Sequence, residues 1–363
     1  MNKPVISIFL FLMIHSVIYG QNTPINFETY NPVSTLVVPQ QIVKNAKYPF
    51  IDVHNHQPAM AKQDLRALTT AMDSLNMKVM VNLTGYGGDA LMAMAANVRQ
   101  QYPSRFIIFT NLDFSGFGEN NWTENAVKRL RKDVSNGAKG LKIFKELGLS
   151  YKNREGKRIP VDDNRLDAIW MACGELHIPV LIHSAAPKPF WDLMDDKNER
   201  LLEMKLYADR RYGNENFATW DQIIQEQHRM FKKHPKTTFI NAHFGWLANN
   251  LQELSRVMND IPNMYIEFGA VIAELGRQPR AAKAFFEKFQ DRILFGKDSW
   301  VPEEYSTYFR VLETADEYFP YHKKYHAFWA LYGINLPDEI LKKVYYKNAL
   351  KIIPGIDKRL FPE

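Results

Sequence analysis

Phe50-Ile51-Asp52-Val53-His54-Asn55-His56 starts as an apolar, β-favouring run and stops in two histidines. Side chains two apart on a strand share a face, so His54 and His56 project together from the strand's end. The pattern then recurs. Short apolar runs follow at 78–83, 106–111, 140–144, 180–183, 238–242, 264–268 and 293–295, making eight in all. Between them lie stretches apolar on one face and polar on the other, among them 65–75, 122–136, 166–176, 220–234 and 247–258. Strands alternating with amphipathic helices imply parallel βαβ units, and eight such units close into an α/β barrel of the (β/α)8 type. An open doubly wound sheet is the rival. No glycine-rich phosphate loop follows the first strand, which counts against a dinucleotide-binding version of it.

The strand ends share a further feature. The fifth run stops at His183, the sixth at His243 and the eighth at Asp298. In a closed barrel these ends converge on one mouth. Any one of these histidines reads equally as a hydrogen-bonded core residue. Four histidines and an aspartate together would be costly to bury unless they share a metal ion. Imidazole and carboxylate suit zinc first and manganese also. Asp52 is expected as a hydrogen-bond acceptor at the strand end.

The ordered set Asp52-Val53-His54-Asn55-His56, Ile182-His183, Ala242-His243-Phe244-Gly245 and Phe295-Gly296-Lys297-Asp298 resembles the amidohydrolase superfamily, within it the amidohydrolase-2 group. That group includes nonoxidative decarboxylases and lactone hydrolases. The resemblance runs from about Phe50 to Leu350. It implies one divalent metal held by His54, His56, His183 and Asp298, with Asp298 also the general base and His243 polarising the substrate. Lys142, in Gly140-Leu141-Lys142, falls where binuclear members carry a bridging carboxylated lysine. The Gly-x-Lys pattern is that of the mononuclear group, so Lys142 reads as a neighbouring charge or a substrate contact. Lys297 stands where the family often has Thr or Ser. Arg277 is placed to hold a substrate carboxylate, with a surface ion pair as the alternative, and Trp191, Trp246 and Trp300 to stack on a ring or to pack as wall.

The reaction expected from this set is hydrolysis of a C–O or C–N bond, in a lactone, ester or amide, of a small carboxylate- or ring-bearing molecule. Nonoxidative decarboxylation is the alternative within enzymes, and a catalytically silent ligand-binding barrel the alternative outside them. Specificity is expected in the long connections 145–164 and 184–219.

The rest of the chain bounds this reading. A net charge of +6 with scattered basic residues and no arginine-rich run argues against nucleic acid as a partner. Barrels of the group often pair, so a homodimer is one expected assembly. Residues 1–20, with Lys3 before the apolar stretch Val5–Ile14, read as a signal peptide, and the mature protein as periplasmic or secreted without a membrane anchor. Residues 21–47 read as an extended lead-in, and 48–363 as the barrel with a closing helix over 338–350. Cys173 is the single cysteine, so no internal disulfide forms and the core must supply stability.

Overall fold

The computed structural model describes residues 26, 29–30, 32–326 and 329–363; the expected signal peptide lies outside them. The chain divides into two units, Met1–Leu36 and Val37–Glu363, and every helix and strand described here belongs to the second. Residues 37–47 belong to this unit: the Gln41 N–H donates to Asp316 Oδ2 and the Lys47 N–H to Glu313 Oε1.

All eight expected runs are barrel staves. They are β1 (Phe50–Asn55), β2 (Met77–Asn82), the third stave in two pieces, β3 (Phe106–Ile108) and β4 (Thr110–Asn111), then β5 (Leu141–Ile143), β6 (Val180–Ile182), β7 (Phe239–Asn241), β8 (Met264–Glu267) and β9 (Ile293–Leu294). Every pairing among them is parallel. The cylinder closes between β9 and β1, where the Val53 N–H donates to Phe295 O at 2.9 Å and the Asp298 N–H to His54 O at 2.7 Å. Closure therefore sets the last site motif beside the first. The expected helices lie at Arg66–Ser74, Trp122–Ser135, Asp167–Glu175, Trp220–Lys233 and Leu251–Asp260. Cys173 is buried, which pushes its thiol pKa up and leaves it inert.

Beneath the mouth, Phe50, Phe295, Phe309 and Tyr345 form a buried aromatic cluster, with Phe50 and Phe295 centroids 4.7 Å apart. The closing helix runs from Asp338 to Ile352, but its middle, Lys343–Lys347, widens into a π-turn. The cause is the barrel seam. Val344 O accepts from the Phe295 N–H at 3.0 Å. One turn later, buried Asn348 donates to Gln290 O and Ile293 O at 2.7 and 2.8 Å. The helix thus satisfies backbone groups that the short β9 leaves unpaired. The sequence reading missed an antiparallel hairpin, β10 (Phe319–Pro320) with β11 (Ala330–Leu331), in the Tyr-rich stretch before this helix.

Asn348→Ala would remove the side-chain donor from the buried Ile293 carbonyl and the part-buried Gln290 carbonyl. Thermal and denaturant unfolding should show a loss of about 2 kcal/mol or more.

Candidate metal centre

Strand β1 delivers His54 and His56 to the mouth, although its pairing with β2 slips between Asp52 and Asn55. Asp52 is buried and works as the expected acceptor. Its Oδ1 takes the N–H groups of His54 and Lys297, and its Oδ2 takes Tyr305 Oη–H and Asn55 Nδ2–H. Burial raises its pKa to about 6 against these hydrogen bonds. The carboxylate thereby clamps β1 to the loop that carries Asp298.

Asp298 adopts a left-handed backbone, φ 83°. Its Oδ1 lies 3.3 Å from His54 Nε2 and 3.6 Å from His56 Nε2. These three residues form a group whose ligand-capable atoms all lie within 4.8 Å of one another. Burial would raise the Asp298 carboxyl, but coulombic attraction to His54, His243 and His56 in their protonated forms and to Lys142 outweighs it and holds the pKa at about 2. Burial, reinforced by the Lys142 charge, pushes His54 well below the ordinary histidine value and His56 to about 4. The imidazoles are therefore neutral, as ligands must be.

The tautomers follow from the partners. Glu267, fully buried at the end of β8, accepts from His54 Nδ1 at 2.8 Å. Thr84 Oγ1 lies 2.7 Å from His56 Nδ1. Gly269 O accepts from His243 Nδ1 at 2.6 Å, which leaves His243 Nε2 to accept from His183 Nδ1 at 3.3 Å. His54 and His183 then offer an Nε2 lone pair, and so does His56 when its Nδ1–H donates to Thr84. His54 Nε2 and His183 Nε2 are buried with no hydrogen-bond partner among the described residues. This donor set fits a divalent cation bound by two or three histidines and a carboxylate. His183 stands outside the tight trio and reaches it across His243, whose ring lies 4.3 Å from that of His183 and 5.0 Å from that of His54. His243, expected to polarise the substrate, has its Nε2 turned to His183 Nδ1 at 3.3 Å.

Glu267 is the residue that reading the sequence missed. Its only signal was an acid at the end of an apolar run. Besides His54, it accepts the N–H groups of His243 at 2.9 Å and Gly269 at 2.6 Å. Its space is reserved by Gly296, where a Cβ would lie 2.3 Å from Glu267 Oε2. The Gly of Phe295-Gly296-Lys297-Asp298 thus has a packing cause. Beyond His243 the chain stays left-handed through Phe244, Gly245 and Trp246, φ 53–58°. Such a run costs about 1–2 kcal/mol per non-glycine residue. It brings the Trp246 ring back onto His243, 4.4 Å away and 26° from parallel.

Lys142 is 1% exposed, and its Nζ has no hydrogen-bond partner among the described residues. Burial lowers its pKa to about 8, opposed by Asp298, Glu267 and Glu146. Lys297 turns away from the centre, its Nζ 2.6 Å from Glu304 Oε2 and 2.8 Å from Ser299 O. Arg277 adopts the ion-pair alternative: its Nη1 is 3.1 Å from Glu199 Oε2, and its guanidinium lies 3.6 Å over the Trp329 ring, while its buried Nε has no hydrogen-bond partner among the described residues. Trp300 packs on Tyr305 at 5.6 Å, and Trp191 Nε1–H donates to Ala218 O.

The sequence matches the amidohydrolase family over residues 45–354, and the chain belongs to that family of metal-dependent enzymes. Three solved structures show the same barrel. They are the dihydroxybenzoic acid decarboxylase of Polaromonas sp. JS666 with bound manganese (14% identity, TM-score 0.54, 84% of this chain and 96% of that one), the 4-oxalomesaconate hydratase of Rhodopseudomonas palustris (16%, 0.51, 86% and 97%) and a TIM-barrel protein of Bordetella bronchiseptica (15%, 0.51, 84% and 97%). No curated protein matches the sequence. No helix among the described residues is long and apolar enough to cross a membrane.

Glu267→Gln should weaken metal binding about 10- to 100-fold, read by competition with a chelator, because it loosens His54 rather than removing a ligand. Metal-free protein should lose stability as pH falls from about 6.5 to 4. In that window the unfolded chain protonates His54, His56 and His183, which the fold keeps neutral, while the raised carboxyls of Asp52 and Glu313 oppose them. Denaturation midpoints across this range give the sign directly.

Proposed function

We propose that this amidohydrolase-family chain is an exported hydrolase that cleaves a C–O or C–N bond, in a lactone, ester or amide, of a small carboxylate- or ring-bearing molecule. The observation that carries the reading is the convergence of His54 Nε2, His56 Nε2 and Asp298 Oδ1 beside the buried ammonium of Lys142. Export rests on the N-terminal sequence alone.

His54, His56 and Asp298 would hold the divalent cation, zinc or manganese, with His183 completing the set. When bound, the cation supplies a water acidified toward neutral pH. Asp298 stays ionised through the neutral range, so it is free to take the proton of the attacking water and pass it to the leaving oxygen or nitrogen. Glu267 and Thr84 keep the Nε2 atoms of His54 and His56 pointed inward, and His243 does the same for His183. Lys142 pairs with an anionic oxygen of the substrate, which gives its buried charge the hydrogen-bond partner it otherwise lacks.

The same lysine supports nonoxidative decarboxylation as the second reading, since a carboxylate that leaves as CO2 needs a cationic anchor. The barrel shared with the Polaromonas decarboxylase is compatible with it. Acid release from lactones, esters and amides, against CO2 release from aromatic carboxylates, separates the two.

Elemental analysis of protein purified without added metal should find about one equivalent of zinc or manganese, lost in His54→Ala. Asp298→Asn should cut kcat by about 10²-fold or more. Lys142→Met should raise KM for carboxylate-bearing substrates about tenfold. Two equivalents of metal would make Lys142 a bridging ligand instead. No metal in any preparation, with ligand binding unchanged in both site variants, would leave a silent binding barrel.

A further inference from the structure

Trp246, whose ring stacks on His243 at the metal centre, also lines a separate recess. Its inner chamber holds about 20 Å³ and is lined in part by Arg200, Trp246 and Glu274. That is room for one water or one hydroxyl group. It shares Lys188, Glu199 and Glu274 with an open groove of about 400 Å³, large enough for a ring. Three elements build it: the long connection after β6, the left-handed turn after β7 and the helix Ile272–Gly276 after β8.

The walls are charged, and the buried charges are paired, whereas Lys188 and Asp192 are exposed at the rim. Arg200, 2% exposed, pairs with Glu203 and Glu274, and Arg277 pairs with Glu199. Among the groove's ionisable residues, Lys188, Arg200 and Arg277 stand against Asp192, Glu199 and Glu274. A ligand bringing net charge would break a pair and leave a buried partner uncompensated, which is strongly unfavourable. What the chamber lacks is hydrogen-bond partners. Glu274, 6% exposed, keeps a buried acceptor, Oε2, with no partner among the described residues. Trp246 Nε1 and Arg200 Nε are buried donors in the same condition. Only a group that both donates and accepts can satisfy acceptor and donors together. An ammonium only donates and a carboxylate only accepts; a hydroxyl does both.

We propose that this recess is a subsite for an uncharged, multiply hydroxylated part of the substrate, one hydroxyl entering the chamber to donate to Glu274 Oε2 and accept from Trp246 Nε1. The assignment deepens the hydrolase reading and rests on it for the reaction: the scissile bond sits at the metal centre and the hydroxylated ring extends past Trp246. It makes Glu274 and Trp246 specificity residues, and it explains why Glu274 is buried with only one of its oxygens paired.

Two measurements test it on the protein as purified. The first is binding alone, by calorimetric titration with myo-inositol and the methyl glycosides of glucose, galactose and mannose. At least one should bind, and Glu274→Gln and Trp246→Phe should each weaken it tenfold or more. Trp246→Phe keeps an aromatic ring over His243, so it removes the donor without emptying the wall; circular dichroism and melting temperature confirm that both variants fold. The second is the ratio of kcat/KM for D-glucono-1,5-lactone over δ-valerolactone. Wild type should favour the hydroxylated lactone, and either variant should collapse that ratio at least tenfold. Absence of binding by every polyol, or variants that bind and discriminate as wild type does, overturns the subsite and leaves its orphaned atoms to water. Polyol binding without hydrolysis of either lactone keeps the subsite and removes the lactone reading; hydrolysis of δ-valerolactone without polyol binding does the reverse.

Discussion

A carboxylate with no access to water, Glu267, joins three strand ends of this barrel. It accepts from the His54 ring and from the backbone N–H groups of His243 and Gly269. An isolated buried carboxylate would be prohibitively costly, whereas one receiving three charge-assisted hydrogen bonds is held firmly and holds its donors in return. His54 is locked with Nε2 inward, and the left-handed turn that carries His243 and Trp246 is pinned at its first N–H. The recess that Trp246 lines inherits its wall from that turn. The centre therefore depends on a residue outside the His54, His56 and Asp298 trio.

The same economy governs the barrel seam. Strand β9 is two residues long, too short to pair its own edge fully. Backbone groups around it are completed by β1 on one side and by Val344 and Asn348 of the closing helix on the other. The helix widens into a π-turn where Val344 turns its carbonyl to the strand. Asp298 follows directly from this seam, so the placement of the carboxylate against His54 and His56 is a consequence of how the cylinder closes.

Lys142 and Glu274 show how far burial shapes what the molecule can bind. The first is a buried cation with no hydrogen-bond partner among the described residues, next to a centre suited to a divalent cation, and it calls for an anionic oxygen. The second is a paired carboxylate with one oxygen to spare, and it calls for a neutral donor. Together they describe a molecule with an acidic or ester-like end and a polar, uncharged body.

Strand positions, helix positions and the candidate ligands were legible in the chain itself, because they depend on local period. Apolar runs ending in His54, His183, His243 and Asp298 mark where a strand stops and a polar group begins, and amphipathic stretches mark the helices between. Glu267 was not legible: nothing local separates it from any acid at a strand end, and its role exists only once β1, β7 and β8 lie side by side. The pairing of Arg277 with Glu199, the turning of Lys297 to Glu304 and the hairpin of β10 and β11 likewise depend on residues far apart in the chain. Periodicity and residue chemistry determine which groups a strand end can present. Which of those groups meet, which tautomer each takes and which charges find partners are decided by closure of the barrel, because hydrogen bonds and ion pairs act over a few ångströms in space and carry no record of distance along the sequence.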